Sequence, residues 1–253
     1  MKTDTLMKAN KSRLGTIISG TSGSGKTTAI VSMLRDAIVN PSYDENYRFV
    51  IVDPKVQAGD YDKLVDPITD VDEVTASIAE NRTTLYWPDS AEFDEKTLEQ
   101  DVAHIVDYMF DLLNQNPKMR VTFVLDEASI LISPNSISNS LKRLTVQGRA
   151  KGILPIYISQ RPMTNRWIDS NISKVVLFKM VPVDADNLTK RWGLDFTHVS
   201  ERISEKDYSF VVFDLDKVRT RYVNPVPVPK ALPRKKKKSF FANVANSFNR
   251  MWQ

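Results

Sequence analysis

The chain has 253 residues, 42% hydrophobic and 26% charged, enough for one substantial core, and no stretch is apolar enough to span a bilayer. Its net charge of +4 is uneven: residues 230 to 253 hold seven cations (Lys230, Arg234, Lys235, Lys236, Lys237, Lys238, Arg250) and no acid, so +4 less seven leaves −3 on residues 1 to 229. That excludes a body that binds nucleic acid over its whole surface, and the lack of cysteine excludes disulfides and thiolate metal sites, which suits a reducing compartment. The opening MKTDTLMKANKSR is too polar for a signal peptide.

In chain order, residues 1 to 12 read as an N-terminal arm. LGTIISG is then an apolar run of strand character, and Thr28 to Val39 has apolar residues at helical spacing. Between them Gly20, Gly25, Lys26 and Thr27 match G-x-x-x-x-G-K-[ST], a phosphate-binding loop. Glycines at 20, 23 and 25 let successive N–H groups turn inward on phosphate oxygens. The nucleotide-binding set is Gly20, Thr21, Ser22, Gly23, Ser24, Gly25, Lys26, Thr27 and Thr28, with Lys26 on the terminal phosphates and the Thr27 hydroxyl on Mg²⁺. ATP is expected rather than GTP, because no N-K-x-D element follows the later strands.

Tyr47 to Asp53 and Thr83 to Ser90 read as strands, the second broken by Pro88. Phe93 to Asn114 reads as a helix with Leu98, Val102, Ile105, Val106, Met109, Phe110 and Leu113 on one stripe. RVTFVLDEAS is so apolar that its strand should be central and parallel. It ends in Asp126, placed to hold Mg²⁺ through water, and Glu127, a carboxylate able to polarise an attacking water. That pairing suits hydrolysis better than a kinase, which must exclude water.

Ser136 to Ala150 reads as a helix and Ile153 to Gln160 as a strand neighbouring the one that bears Asp126, so the Gln160 amide can reach the γ-phosphate or the water. KVVLFKM, a helix from Asp184 to Trp192, YSFVVFDL and an antiparallel edge VRTRYV complete the body near Asn224. Residues 13 to 224 are thus one motor-sized α/β domain, a parallel core sheet with helices on both faces and an antiparallel edge. Residues 225 to 233 form a Pro-rich linker. The tail, 234 to 253, joins five cations to a helical stripe of Phe241, Val244, Ala245, Phe248 and Trp252, suited to an anionic membrane, a capsid or portal protein, or DNA phosphates.

GTSGSGKTT, FVIVDPK, VLDEAS, GRAKGILPIYISQRP and SNISKVVLFKM, in that order, resemble the FtsK/HerA superfamily of P-loop DNA-translocating ATPases, of RecA/ASCE type. The small size resembles, within that superfamily, the genome-packaging ATPases of tailless, internal-membrane viruses. The resemblance implies ATP and Mg²⁺ as cofactors, Glu127 as catalytic base, Gln160 as sensor, and double-stranded DNA gripped without sequence specificity. It implies a homo-oligomeric ring, usually a hexamer, in the host cytoplasm or at the virion's packaging vertex, with the tail docking on membrane or vertex. Arg149 matches the arginine supplied in trans, with Arg143 as the competing candidate. Lys55 matches as well, either as a pore contact with DNA or in a nucleotide-side role. Pore contacts are expected from Lys55 to Lys63 or Ser133 to Lys142. The implied function is ATP-driven DNA translocation, packaging a viral genome into a preformed membrane-containing capsid; the alternatives are a plasmid-transfer or repair motor, or a morphogenesis ATPase acting on protein or membrane.

Overall fold

Strands buried on both faces must be apolar at every position, and that is the pattern here: Phe49 and Ile51 face one hydrophobic cluster while Val50 and Val52 face the other. A computed structural model describes residues 15–40, 45–89, 94–162, 165–192, 199, 201–203, 205–226 and 228–233. The tail, with its amphipathic stripe, and the N-terminal arm lie outside the described residues.

The strands are β1 (Gly15–Ser19), β2 (Tyr47–Val52), β3 (Pro67–Ile68), β4 (Thr83–Tyr86), β5 (Arg120–Leu125), β6 (Ile153–Ser159), β7 (Ile172–Leu177), β8 (Phe210–Asp214) and β9 (Arg219–Val223). They form one sheet in the order β3-β4-β2-β5-β6-β1-β7-β8-β9. From β3 to β7 all pairs are parallel; β8 and β9 are antiparallel. β5 is central and parallel, as its composition demands, and β9 is the edge, kept from pairing with another chain by exposed Arg219 and Arg221.

The helices are α1 (Lys26–Val39), α2 (Val71–Glu80), α3 (Glu95–Gln115), α4 (Asn139–Lys151), α5 (Arg166–Asp169) and α6 (Pro182–Trp192). α1 covers one face through Ala29, Ile30, Met33, Leu34 and Ala37, while α2, α3 and α4 cover the other. All seven residues of the expected α3 stripe are buried, and Asp94 caps the helix by accepting from the Thr97 N–H. α2 is not apparent from periodicity alone, because only Val74 and Ile78 are apolar and buried; its start is set by Asp70, which accepts from the N–H groups of Asp72 and Glu73.

α4 starts at Asn139 rather than Ser136. Ser136 and Ile137 are instead held in a tight hairpin, where Ser133 N–H donates to Ser136 O at 2.9 Å and Ile132 bridges Ile137. Ser138 caps the helix, and Gly152 ends it at φ 87°, where a side chain would be strained and a Cβ would lie 2.7 Å from Arg120 Cδ. The described residues after Asn224 run back along the body: Val226 and Leu232 pack on the α1-side cluster, and Leu232 N–H donates to Lys63 O at 2.8 Å. Among the described residues no helix is long and apolar enough to cross a membrane.

Candidate active site

Strand register assembles the site. Val52 lies opposite Leu125 and Ser19 opposite Ser159, so the residues that follow β2, β5, β6 and β1 emerge together at the carboxyl edge of the sheet. From β1 the chain enters the loop Gly20 to Gly25. A Cβ on Gly20 would sit 2.6 Å from Phe178 Cβ, so only glycine lets the loop pass there. Gly23 and Gly25 have φ of 73° and 93°, which favour glycine, and Gly25 caps α1. The loop is pinned to the end of β7 by Thr21, whose N–H and hydroxyl both donate to Lys179 O, at 2.8 and 3.2 Å. Lys26 is buried and donates to Gly20 O at 2.6 Å and Thr21 O at 2.9 Å. Burial, then the neighbouring Lys55, lowers its pKa against the pull of Glu127 and Asp126. The Ser24 hydroxyl is buried with no partner, an unmet hydrogen-bonding group inside the loop. Thr27 and Thr28 are half-buried in the first turn of α1.

Opposite the loop stand the carboxylates. Asp126 is 1% exposed and doubly held: its Oδ2 accepts from the fully buried Tyr61 hydroxyl at 3.0 Å and its Oδ1 from the Glu127 N–H at 2.8 Å. Burial raises its pKa, while Lys55 and these two donors pull it down. Glu127 adopts φ 45°, ψ 43°, a left-handed conformation unusual for its type and of the sort found where a functional side chain must be aimed. Its Oε1 accepts from Gln160 Nε2 at 2.9 Å and ion-pairs with Lys55 Nζ, which also lies 4.0 Å from Asp126 Oδ1. Burial works against the Lys55 charge, but the three carboxylates around it outweigh burial and raise its pKa.

Lys55 therefore sits beside Glu127 and Asp126 at the carboxyl edge of the sheet. Gln160 directly follows β6, the strand next to β5, and contacts Glu127. Arg143 lies 3.0 Å from Asp107 Oδ1 and stacks 4.0 Å from the Phe110 ring centre, and Arg149 lies exposed in the last turn of α4.

Three participants escape sequence reading. Asp53 is 2% exposed, accepts from Lys55 N–H and from Trp87 Nε1, both at 3.1 Å, and its carboxyl is pushed up to about 6 by burial and the nearby Asp126 charge. Tyr61 comes from a single 3-10 turn, Tyr61–Lys63, that shows no periodicity. Trp87 follows β4 and is paired to Asp53 only through the fold. The legible signal was an acid ending each of two buried strands, FVIVD and FVLD.

A glycine loop between a strand and a helix, with acid-terminated parallel strands beside it, is a known architecture. This is the fold of the P-loop ATPases. It is shared with the genome packaging NTPase B204 from Sulfolobus turreted icosahedral virus 2 in complex with AMPPCP, at TM-score 0.65 and 13% identity over 86% of this chain and 100% of that one. In sequence the P-loop chain is related to the DNA translocase SftA of Bacillus subtilis (strain 168), 24% identical over 213 residues, which are 77% of this chain and 21% of SftA. It is also related to the DNA translocase FtsK of Leptospira interrogans serogroup Icterohaemorrhagiae serovar copenhageni, 28% identical over 58% of this chain and 16% of that protein. The chain thus spans about a fifth of the length of the curated relatives it matches. No protein-family model matches the sequence.

Proposed function

We propose that the protein is an ATP-driven translocase of double-stranded DNA, and that it packages a viral genome into a preformed, membrane-containing capsid. One observation carries the hydrolytic part: Glu127, aimed by a left-handed backbone and held by Gln160 and Lys55, faces a glycine loop whose lysine bonds only loop carbonyls and whose buried Ser24 hydroxyl has no partner, an arrangement that supports a phosphate there. Its carboxylate would take the proton of the attacking water, and Gln160, bonded to the same oxygen, would move with it when the γ-phosphate leaves. Lys26 would exchange its loop carbonyls for the terminal phosphates. The unpartnered Ser24 hydroxyl and the buried Asp126 carboxylate suit a metal–nucleotide complex, with Thr27 and Asp126 holding Mg²⁺; the ion would supply charge neutralisation on the phosphates.

The translocating part is supported by the two curated DNA translocases to which the sequence is related. The hairpin at Ser133 to Ser136 supports non-specific DNA contact: it offers small polar groups beside Lys142, which stacks 4.0 Å from the Trp167 ring centre, and the exposed Arg166. The chains would form a ring, usually of six, with Arg149 completing a neighbour's site and residues 234 to 253 docking at the membrane or capsid vertex.

The test is ATP hydrolysis with and without long double-stranded DNA, for the wild type and Glu127→Gln. DNA should raise the rate, and the substitution should lower it by about 10²- to 10⁴-fold while ADP still binds. Hydrolysis that depends on Glu127 but ignores DNA would overturn translocation in favour of a morphogenesis ATPase acting on protein or membrane.

A further inference from the structure

Beside the phosphate loop lies a cavity of about 280 Å³, lined by Gly25, Thr28, Tyr208, Val226 and Val228. None of these side chains is charged, and three are aromatic or aliphatic. The cavity is assembled from distant parts of the chain: the start of α1, the turn before β8, and the Pro-rich stretch after β9. Tyr208 is held at φ 62° in that turn, left 60% exposed, with its ring against the loop, where a Cβ on Gly25 would be 3.1 Å from Tyr208 Cδ1. The turn is closed by Ser209, whose N–H donates to Lys206 O at 3.3 Å and whose hydroxyl donates to Ile203 O at 3.0 Å. Lys206 Nζ donates in turn to Asn224 Oδ1 at 3.4 Å, joining the turn to the residue just before the Pro-rich stretch. The far end of that stretch is held by Arg35 Nε, which donates to Lys230 O at 2.8 Å. Val228, 71% exposed, is thus presented on an anchored wall with nothing packed over it.

Topology says what would occupy the cavity. Glu127 and Gln160 mark the reacting end of a nucleotide, on the β5 and β6 side of β1. The sheet continues on the other side of β1 through β7 to β8, and Tyr208 stands just before β8. A triphosphate lying along the loop from Glu127 toward Thr28 delivers its nucleoside to that side. We infer that this cavity receives the nucleobase, with the Tyr208 ring stacked on its face and Val226 and Val228 against its edge. The inference rests on the reading of the loop as a nucleoside triphosphate site.

The lining also sets the selectivity. It offers only two side-chain hydroxyls, on Thr28 and Tyr208, so it reads the size of the aromatic face more than the pattern of donors and acceptors. Purines should be preferred to pyrimidines, and adenine and guanine should differ little, within about fivefold, because stacking is sequence-tolerant.

The experiment is calorimetric binding of ADP, GDP, CDP and inorganic tripolyphosphate to the full chain, as wild type, Tyr208→Ala and Tyr208→Phe. The expected result is an ADP affinity about tenfold or more weaker in Tyr208→Ala and retained in Tyr208→Phe, with tripolyphosphate affinity unchanged in both. Equal ADP affinity in all three proteins would overturn the assignment. So would an equal loss of ADP and tripolyphosphate affinity, which would make Tyr208 a support for the loop rather than a platform for the base. A wild type that binds neither probe would sink the nucleotide reading itself, whereas a wild type that binds CDP as tightly as ADP would sink only the base site.

Discussion

The two sides of β1 are built differently. Toward β6, β5 and β2, the carboxylates at the strand ends are buried and held: Asp53, Asp126 and Glu127 each accept at least two partners. Toward β8 the sheet turns antiparallel, and the loop's neighbours are an exposed tyrosine and an exposed valine on a Pro-rich stretch. A carboxylate that must act on water needs fixed geometry, and in a dry interior only several simultaneous partners offset the cost of its charge. A flat apolar base needs only a face to lie on, so that end can be built from marginal parts of the chain.

The comparison can be pressed where the reaction side is least complete. Lys55 is already engaged by Glu127, so of the site's two lysines only Lys26 would turn to the phosphates, and part of the charge developing there has to be met from elsewhere. If a neighbour's Arg149 supplies it, Arg149→Ala should lower ATP hydrolysis by about a thousandfold or more while ADP binding persists. Mixing that protein with Lys26→Ala chains should restore part of the activity, which a role within the same chain would not allow. Arg143→Ala, tied to Asp107 and Phe110, should stay within a few-fold of wild type.

A smaller effect tests whether Lys55 aims the base. Lys55→Met removes a charge-assisted bond, so the DNA-independent kcat should fall by about ten- to a hundredfold, with KM for ATP changing far less. If Lys55 instead gripped DNA, only the DNA-stimulated part of the rate would be lost.

The smallest effect is one of stability. The Asp53 carboxyl is pushed up to about 6 in the fold, from an ordinary value near 4. The native state therefore binds that proton more tightly than the unfolded chain, and the contribution is present at low pH and lost as pH rises through about 6. In metal-free protein, Asp53→Asn should change stability relative to wild type more favourably at pH 7 than at pH 4.5, by about 1–3 kcal/mol in urea unfolding. The substitution also puts an amide N–H₂ against the Trp87 or Lys55 N–H, but that cost does not vary with pH, so an identical difference at both values would refute the account.

Much of the site was legible because its parts are local. The glycine loop carries its own backbone requirements within six residues, and Asp126 and Glu127 are announced by the apolar strand before them. Seven residues of the α3 stripe were readable for the same reason, since helical spacing repeats within one segment. α2 was not, with two buried apolar residues in ten, and its start depends on a cap rather than a stripe. The start of α4 was displaced by a hairpin whose hydrogen bonds outcompete the helical spacing of Ser136 and Ile137.

What the sequence determined by itself is the position along the chain and the character of the longer strands, the phosphate loop and the Asp126–Glu127 pair that follows one of them, because these follow from periodicity and backbone chemistry over a few residues. What the tertiary structure decided is which side chains meet. Tyr61 reaches Asp126 across 65 positions, Gln160 reaches Glu127 across 33, and Tyr208 closes on Gly25. Such pairings depend on strand order and register, which place β6 between β1 and β5 and return the chain from β9 past α1, and no local pattern encodes them.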